Sequence, residues 1–230
     1  MLDVHPPEHA AHTWRDFFIH IATIVLGLLI AIGLEQSVEW LHERHVRHEL
    51  LEGVEADAGK AIGDCNRIHI SLMARDKWAA SRIAQVQEAI HSGKPLAAAE
   101  SQAFLDWDEP VDPTLKAAQS SQALHVLSQK EIQAFGEFND TVDALESHHF
   151  QMNDAWSRVS ELQQEYELTG RAAIQVTPEH LERYLDALVH ARRESRVFDH
   201  WALGVRGAAA AIERGERDLD EIQRDERDPW

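Results

Sequence analysis

Residues 17–34 read FFIHIATIVLGLLIAIGL, eighteen positions without one formally charged side chain. As an α-helix they span about 27 Å, close to the roughly 30 Å hydrocarbon core of a bilayer. Charge stops at Arg15 and Asp16 on one side and resumes at Glu35 on the other. Trp14 and Trp40 flank the run about 39 Å apart along a continuous helix, the separation that sets two amphipathic indoles in the two headgroup layers. A buried core helix is the alternative, but such helices rarely run this long without a polar stripe. Ala31-Ile32-Gly33 resembles a small-x-small cleavage site, yet residues 1–16 lack the positive segment of a signal peptide. The run is expected to be a retained single-span anchor, with the lipid bilayer as its first partner.

Whole-chain averages conceal this. The 230 residues carry 22 Lys+Arg against 40 Asp+Glu, a net charge of −18, and a mean hydropathy of −0.39 that suggests an ordinary soluble protein. The negative charge argues against nucleic acid, which needs a basic face. A single cysteine excludes an internal disulfide and any multi-cysteine metal cluster.

Inside the run, His20, Thr23, Gly27 and Ala31 recur at spacings of 3, 4 and 4 and share one helix face. Small residues four apart let helix backbones approach, and a polar group in lipid prefers a protein partner. The face is expected to pack against another helix, in a homo-oligomer or a membrane complex; the alternative is a lone anchor whose His20 reaches back to the interface. Flanking charge does not fix orientation, since Arg15 stands against only Arg44 and Arg47.

After the run the pattern stays helical, so the expected fold class is all-α. A transmembrane helix (17–34) follows a His-rich tail (1–16) and continues into a long juxtamembrane helix (35–93). A short helix with an acidic linker (94–112) then leads to an antiparallel, coiled-coil-like bundle (113–230) with a charged end. The first seam is Leu51, Val54, Ala58, Ala61, Cys65, Ile68 and Leu72, with Gly93 and Pro95 ending it. Gly53, Gly59 and Gly63 leave room for a bend, and Cys65 reads as a buried small hydrophobe. Leu96 to Leu105 suits a short helix, and Asp112-Pro113 a capped start. Ser128-Gln129-Lys130-Glu131 is a capping box, with Leu127 and Ile132 placed for a hydrophobic staple. From Phe135 to Val159 a strict 3–4 spacing runs towards Gly170. Thr177-Pro178 opens a last helix whose seam extends from Leu181 to Ile212, Leu219 and Ile222. The final ERGERDLDEIQRDERD suits a solvated helix end or a disordered tail.

Residues 24–57, IVLGLLIAIGLEQSVEWLHERHVRHELLEGVEAD, resemble a family of uncharacterised bacterial single-span membrane proteins. Its hydrophobic segment reads like VxxGILIALxLxxW and runs into a charged E-x-R helix with paired leucines. Gly27-Leu28-Leu29-Ile30-Ala31-Ile32 match the first part, Glu39-Trp40 and Glu43-Arg44 the exit, and Leu50-Leu51 the leucines. A second patch, from Thr114-Leu115-Lys116 through Ser120-Ser121, Ala123-Leu124 and Leu127 to Glu131-Ile132, is similar to the stretch before that family's long helix. Two features depart from the pattern: a His-rich N-terminus replaces a basic one, and Ser120-Ser121 stands where Ser-Gly is usual. The resemblance implies a bacterial inner-membrane protein with a cytoplasmic N-terminus and a periplasmic helical domain. It implies no chemistry.

Fifteen histidines raise the question of metal. His42, His45 and His48 recur every three residues and precess around the helix, so one ion cannot take all three. His45 with Glu49, or His48 with Glu52, supplies two ligands that a neighbouring subunit would have to complete; the alternative is a headgroup-facing stripe that gains charge as pH falls. Three Glu-x-x-His pairs, Glu39–His42, Glu88–His91 and Glu146–His149, have di-iron spacing, but 23 glutamates and 15 histidines give about 1.5 such pairs by chance. His149 alone interrupts an apolar seam, as a hydrogen-bonded core histidine or as a pH-sensitive one. No nucleophile elbow, phosphate loop, dinucleotide fingerprint or zinc-protease motif occurs. Asp106, Asp108 and Glu109 read as a solvated acidic loop. Residues 97–168 hold 14 acids against Lys116, Lys130 and Arg158, a surface that is either merely soluble or suited to a basic protein partner.

The expectation is therefore a non-enzymatic, membrane-anchored helical scaffold or accessory subunit without a cofactor. The alternative is a helical sensor or ligand- or metal-binding domain that signals through a partner.

Overall fold

The computed structural model describes residues 14–99, 113–169 and 173–227. In chain order it contains α1 (Trp14–Ser92), α2 (Pro113–Ser120), a 3-10 turn (Ala123–Val126), α3 (Gln129–Glu165), α4 (Pro178–Glu213) and α5 (Leu219–Arg227). The protein is all-α, with no strand among the described residues. It divides into two units, Met1–Glu49 and Leu50–Trp230, and the boundary falls within α1.

The described part of the first unit is the N-terminal portion of α1. Its apolar run is long and apolar enough to cross a membrane, and none of that window is buried. The polar side chains on it bond to the helix that carries them. The ring Nδ1 of His20 lies 2.9 Å from the Asp16 carbonyl, Thr23 donates to the Ile19 carbonyl at 2.9 Å, and Ser37 to that of Gly33 at 2.7 Å. Trp14, Phe17 and Phe18 cluster with ring centroids about 6 Å apart, and the Arg44 guanidinium lies 5.6 Å from the Trp40 ring.

The second unit is a three-helix bundle with two short helices against it. Along α1, Asn66 bonds to Arg206, His69 to Asp199, Asp76 to Arg192 and Arg82 to Tyr184. Numbers rise on α1 as they fall on α4, so those two helices are antiparallel. Trp156 with Ser195 and Gln163 with Tyr184 give the same relation between α3 and α4. The C-terminal part of α1 therefore runs parallel to α3, with α4 reversed beside both. Phe135, Phe138, Tyr184 and Phe198 are fully buried between them, each contributing about 1.5–3 kcal/mol through removal from water.

Element ends follow local chemistry. Gly93, at φ +67°, stops α1. At the start of α3, Ser128 Oγ accepts from the Glu131 amide at 3.3 Å, while the Ser128 amide donates back to the Glu131 carboxylate at 2.8 Å, completing the capping box. Thr177 caps α4, with Pro178 in its first turn. α1 passes Gly53, Gly59 and Gly63 without a break. Gly53 instead marks a close approach: a Cβ there would lie 2.6 Å from Thr114 Cγ2, beside the hydrogen bond from the Thr114 amide to Asp57 at 3.0 Å.

Three expectations are corrected. Residues 96–99 are not the start of a helix: Leu96 and Ile174 exchange backbone hydrogen bonds at 3.0 and 2.9 Å, and the Ala99 amide donates to Leu168. Pairing with the α3–α4 connection outweighs the helix propensity of Leu-Ala-Ala-Ala. α3 ends at Glu165, before Gly170, and Glu167 takes a positive φ of 53° just past its end. The last helix does not run through to Ile222. It stops at Glu213, Gly215 turns the chain at φ +84°, and α5 folds back onto α4 with Ile222 fully buried, so the acidic end is a packed helix. The His-rich tail up to residue 13, the remainder of the short helix expected to Leu105, Asp106, Asp108, Glu109, the expected cap Asp112, and Gly170 lie outside the described residues.

Candidate functional site

Two regions hold the residues with functional potential. The first is the apolar part of α1. His20, Thr23, Gly27 and Ala31 lie within about 80° of arc on one continuous helix. A Cβ at Gly27 would meet nothing within 4 Å, so the face is open to a second helix. Trp14 and Trp40 are both exposed. His45 Nε2 lies 3.2 Å from Glu49 Oε1, an exposed contact one turn apart. His48 and Glu52 are both on α1. Among the described residues no three His, Cys, Asp or Glu side chains are grouped to hold a metal.

The Glu-x-x-His pairs do not converge within the bundle. His149 packs 5.6 Å from Phe198, next to the Asp199 that holds His69, so it sits level with residue 69 of α1. Glu88 is nineteen residues further along that helix, about 30 Å away.

The His149 ring stands at the packed edge of the core. Asn153 Nδ2 lies 2.8 Å from His149 Nε2, and an amide N–H there requires that nitrogen to be unprotonated. Burial holds the imidazole below its ordinary range, and the Glu146 carboxylate offsets only part of that shift.

The second region was not singled out in the sequence. It centres on two arginines on the buried seam of α1. The seam continues past Leu72 at the same spacing through Arg75, Ala79, Arg82, Val86 and Ala89, all buried. Arg75 lies 4.9 Å from the Trp156 ring, which packs 6.0 Å from Trp78. Trp156 donates to Ser195 at 2.8 Å, and Ser195 donates in turn to the Ala191 carbonyl at 3.0 Å. The chain of donors is thus closed on backbone, which is what a buried polar group requires.

Arg82 is not closed in that way. Its side chain is among the most buried charged groups in the protein, at 2 % exposure. Nε reaches the Tyr184 hydroxyl at 3.4 Å, which also accepts from Gln163 at 2.8 Å. Nη1 donates to Gln85 Oε1 at 2.9 Å and to the Ala97 carbonyl at 2.6 Å. Nη2 is buried, and among the described residues it has no hydrogen-bond partner and no carboxylate pairs with the guanidinium. The signal legible in the sequence was an arginine at a seam position, one heptad after another at Arg75.

No protein-family model matches the chain, and comparison with curated proteins and with solved structures yields no match.

Proposed function

We propose that this protein is a membrane-anchored helical scaffold or accessory subunit, held in a bilayer by residues 17–34 and assembling through the face of His20, Thr23, Gly27 and Ala31. The observation that carries the reading is the apolar run itself: none of it is buried by the rest of the protein, and an exposed eighteen-residue run dominated by apolar side chains calls for a nonaqueous environment. Gly27, with open space around its Cα, supports close helix contact on that face. The bundle would present its surface to other subunits. The resemblance of residues 24–57 to the uncharacterised single-span family supports a bacterial inner-membrane location with the bundle in the periplasm.

Extraction in mild detergent followed by native mass spectrometry tests the reading. The full chain is expected in the membrane fraction, resisting alkaline carbonate, and as an oligomer or with a co-purifying membrane subunit. Gly27→Leu with Ala31→Leu should reduce crosslinking within the membrane. A carbonate-soluble chain refutes the anchor; a membrane-bound monomer without a partner refutes the scaffold.

A further inference from the structure

We propose that the bundle carries a binding site for a small carboxylate with a short apolar body, in the cleft beside the C-terminal end of α1, with Arg82 as its anion-binding group. This goes beyond the scaffold reading and does not depend on it.

The argument begins with the cost of Arg82. A guanidinium stays charged at any physiological pH, and a buried charge is stable only when paired or fully hydrogen-bonded. Arg82 has neutral acceptors on Nε and Nη1 and none on Nη2. Among the described residues the site therefore holds an uncompensated positive charge and a spare donor, the state of a site suited to an anion.

An approach route lies next to it. A cleft of about 510 Å³ is lined by residues that include both Nη1 acceptors, Gln85 and Ala97, while Arg82 itself is buried and is not part of the wall. Its volume is in the range of small-molecule sites, roughly 300–1,000 Å³. Gln85 is an exposed residue, free to swing outward. A carboxylate entering the cleft would replace the Gln85 oxygen on Nη1 and take the vacant Nη2 with its second oxygen. The result is a two-pronged pair along one edge of the guanidinium, with a neutral acceptor exchanged for a charged one. The Ala97 carbonyl and the Tyr184 hydroxyl would keep the rest of the group in place.

The cleft walls set the remainder of the ligand. Ala84, Ala89, Pro95 and Leu96 are apolar, while Lys94 and Glu88 add one charge of each sign. The lining charges cancel, so Arg82 supplies the net attraction, and a short alkyl body suits the walls.

Hexanoate and its neutral counterpart hexanamide are suitable probes, titrated calorimetrically into the detergent-solubilised full chain. Hexanoate is expected to bind saturably, and hexanamide about tenfold or more weakly. Arg82→Met should abolish the preference. Should that variant fail to fold, Ala84→Trp fills the exposed cleft wall without touching Arg82 and is expected to block binding. Gln85→Ala, which removes the acceptor the ligand must displace, should tighten it. Absence of saturable binding, equal binding of acid and amide, or undiminished binding by Ala84→Trp each overturns the proposal and leaves Arg82 as a structural group solvated by internal water.

Discussion

Asp76 on α1 accepts hydrogen bonds from Arg192 on α4 at 2.8 and 3.1 Å, a two-pronged ion pair that ties the antiparallel helices together near the middle of α4. Arg196, one turn along α4, donates to the same carboxylate at 3.0 Å. The Arg192 hydrogen bond chiefly, with help from Arg196, holds the Asp76 carboxyl down to about 2. A carboxylate depressed in the folded state stabilises above its unfolded pKa and loses that contribution as pH falls through the folded one. Asp76→Asn is expected to destabilise the bundle by about 1 kcal/mol at pH 7, solvent screening discounting the full shift. The difference from wild type should shrink as pH drops from about 4 towards 2. Urea unfolding of both proteins across that range checks it, and a constant difference would assign the effect to packing.

His149 gives the opposite handle on pH. Its folded-state pKa is depressed by burial below the ordinary 6.5, so protons bind the unfolded chain more readily. Stability from this group is complete above 6.5 and is lost as pH falls through the folded value. The groups against the ring include Glu146, Asn153 and Phe150 on α3 and Phe198 on α4. Protonation removes the Nε2 acceptor that faces Asn153. Between pH 8 and pH 5 the wild-type melting temperature is expected to fall more than that of His149→Leu. Parallel curves would show that this ring does not report pH.

What the sequence made legible, and what it did not, divides along the same seam. Leu50 to Leu72 on α1 announce a buried stripe because apolar side chains at 3–4 spacing have no other use. The stripe then continues through Arg75 and Arg82, where the spacing persists and the hydrophobicity does not. Burial of those arginines depends on the Trp156 face and the Tyr184 hydroxyl, groups brought there by α3 and α4 from 81 and 102 positions away. No local pattern contains that information. The capping box at Ser128 needs only four residues and was fully readable. The turn at Gly215 was not, because the same acidic sequence suits a solvated helix until Ile222 finds a pocket against α3 and α4. A face such as that of His20, Thr23, Gly27 and Ala31 can be expected from spacing on one helix alone; the burial of Arg82 also needs the Tyr184 hydroxyl of α4, 102 positions away.

Cys65 offers a probe of the core. It is fully buried, and desolvation, with the neighbouring Asp64 adding to it, pushes the thiol up to about 12. The thiolate is the reactive species, so at pH 8 the folded protein should resist an aromatic disulfide reagent. Labelling is expected to rise only as urea unfolds the bundle, tracking loss of helicity. Stoichiometric labelling of the native chain at a rate matching a free thiol would contradict the packing of α1 at this position.

Gly207 on α4 is where the last helix docks. A Cβ there would overlap the Asp225 carbonyl and come within 3.0 Å of the Glu226 Cα. These are backbone atoms and cannot yield as a flexible side chain would. Gly207→Val should therefore push α5 off the bundle at a cost of about 1–3 kcal/mol. With it would go the burial of Ile222, the Arg214–Asp225 ion pair and the 3.0 Å hydrogen bond from Gln223 to Glu137. Gly136 on α3 supplies the control: a Cβ there meets nothing within 4 Å, and Gly136→Ala should stabilise its helix by roughly 0.5–1 kcal/mol. Limited trypsin digestion separates the two variants, since α5 carries Arg224 and Arg227. Cleavage at those sites should accelerate in Gly207→Val while α1, α3 and α4 stay protected. A Gly207→Val protein as resistant as wild type would mean that α5 does not pack on this face.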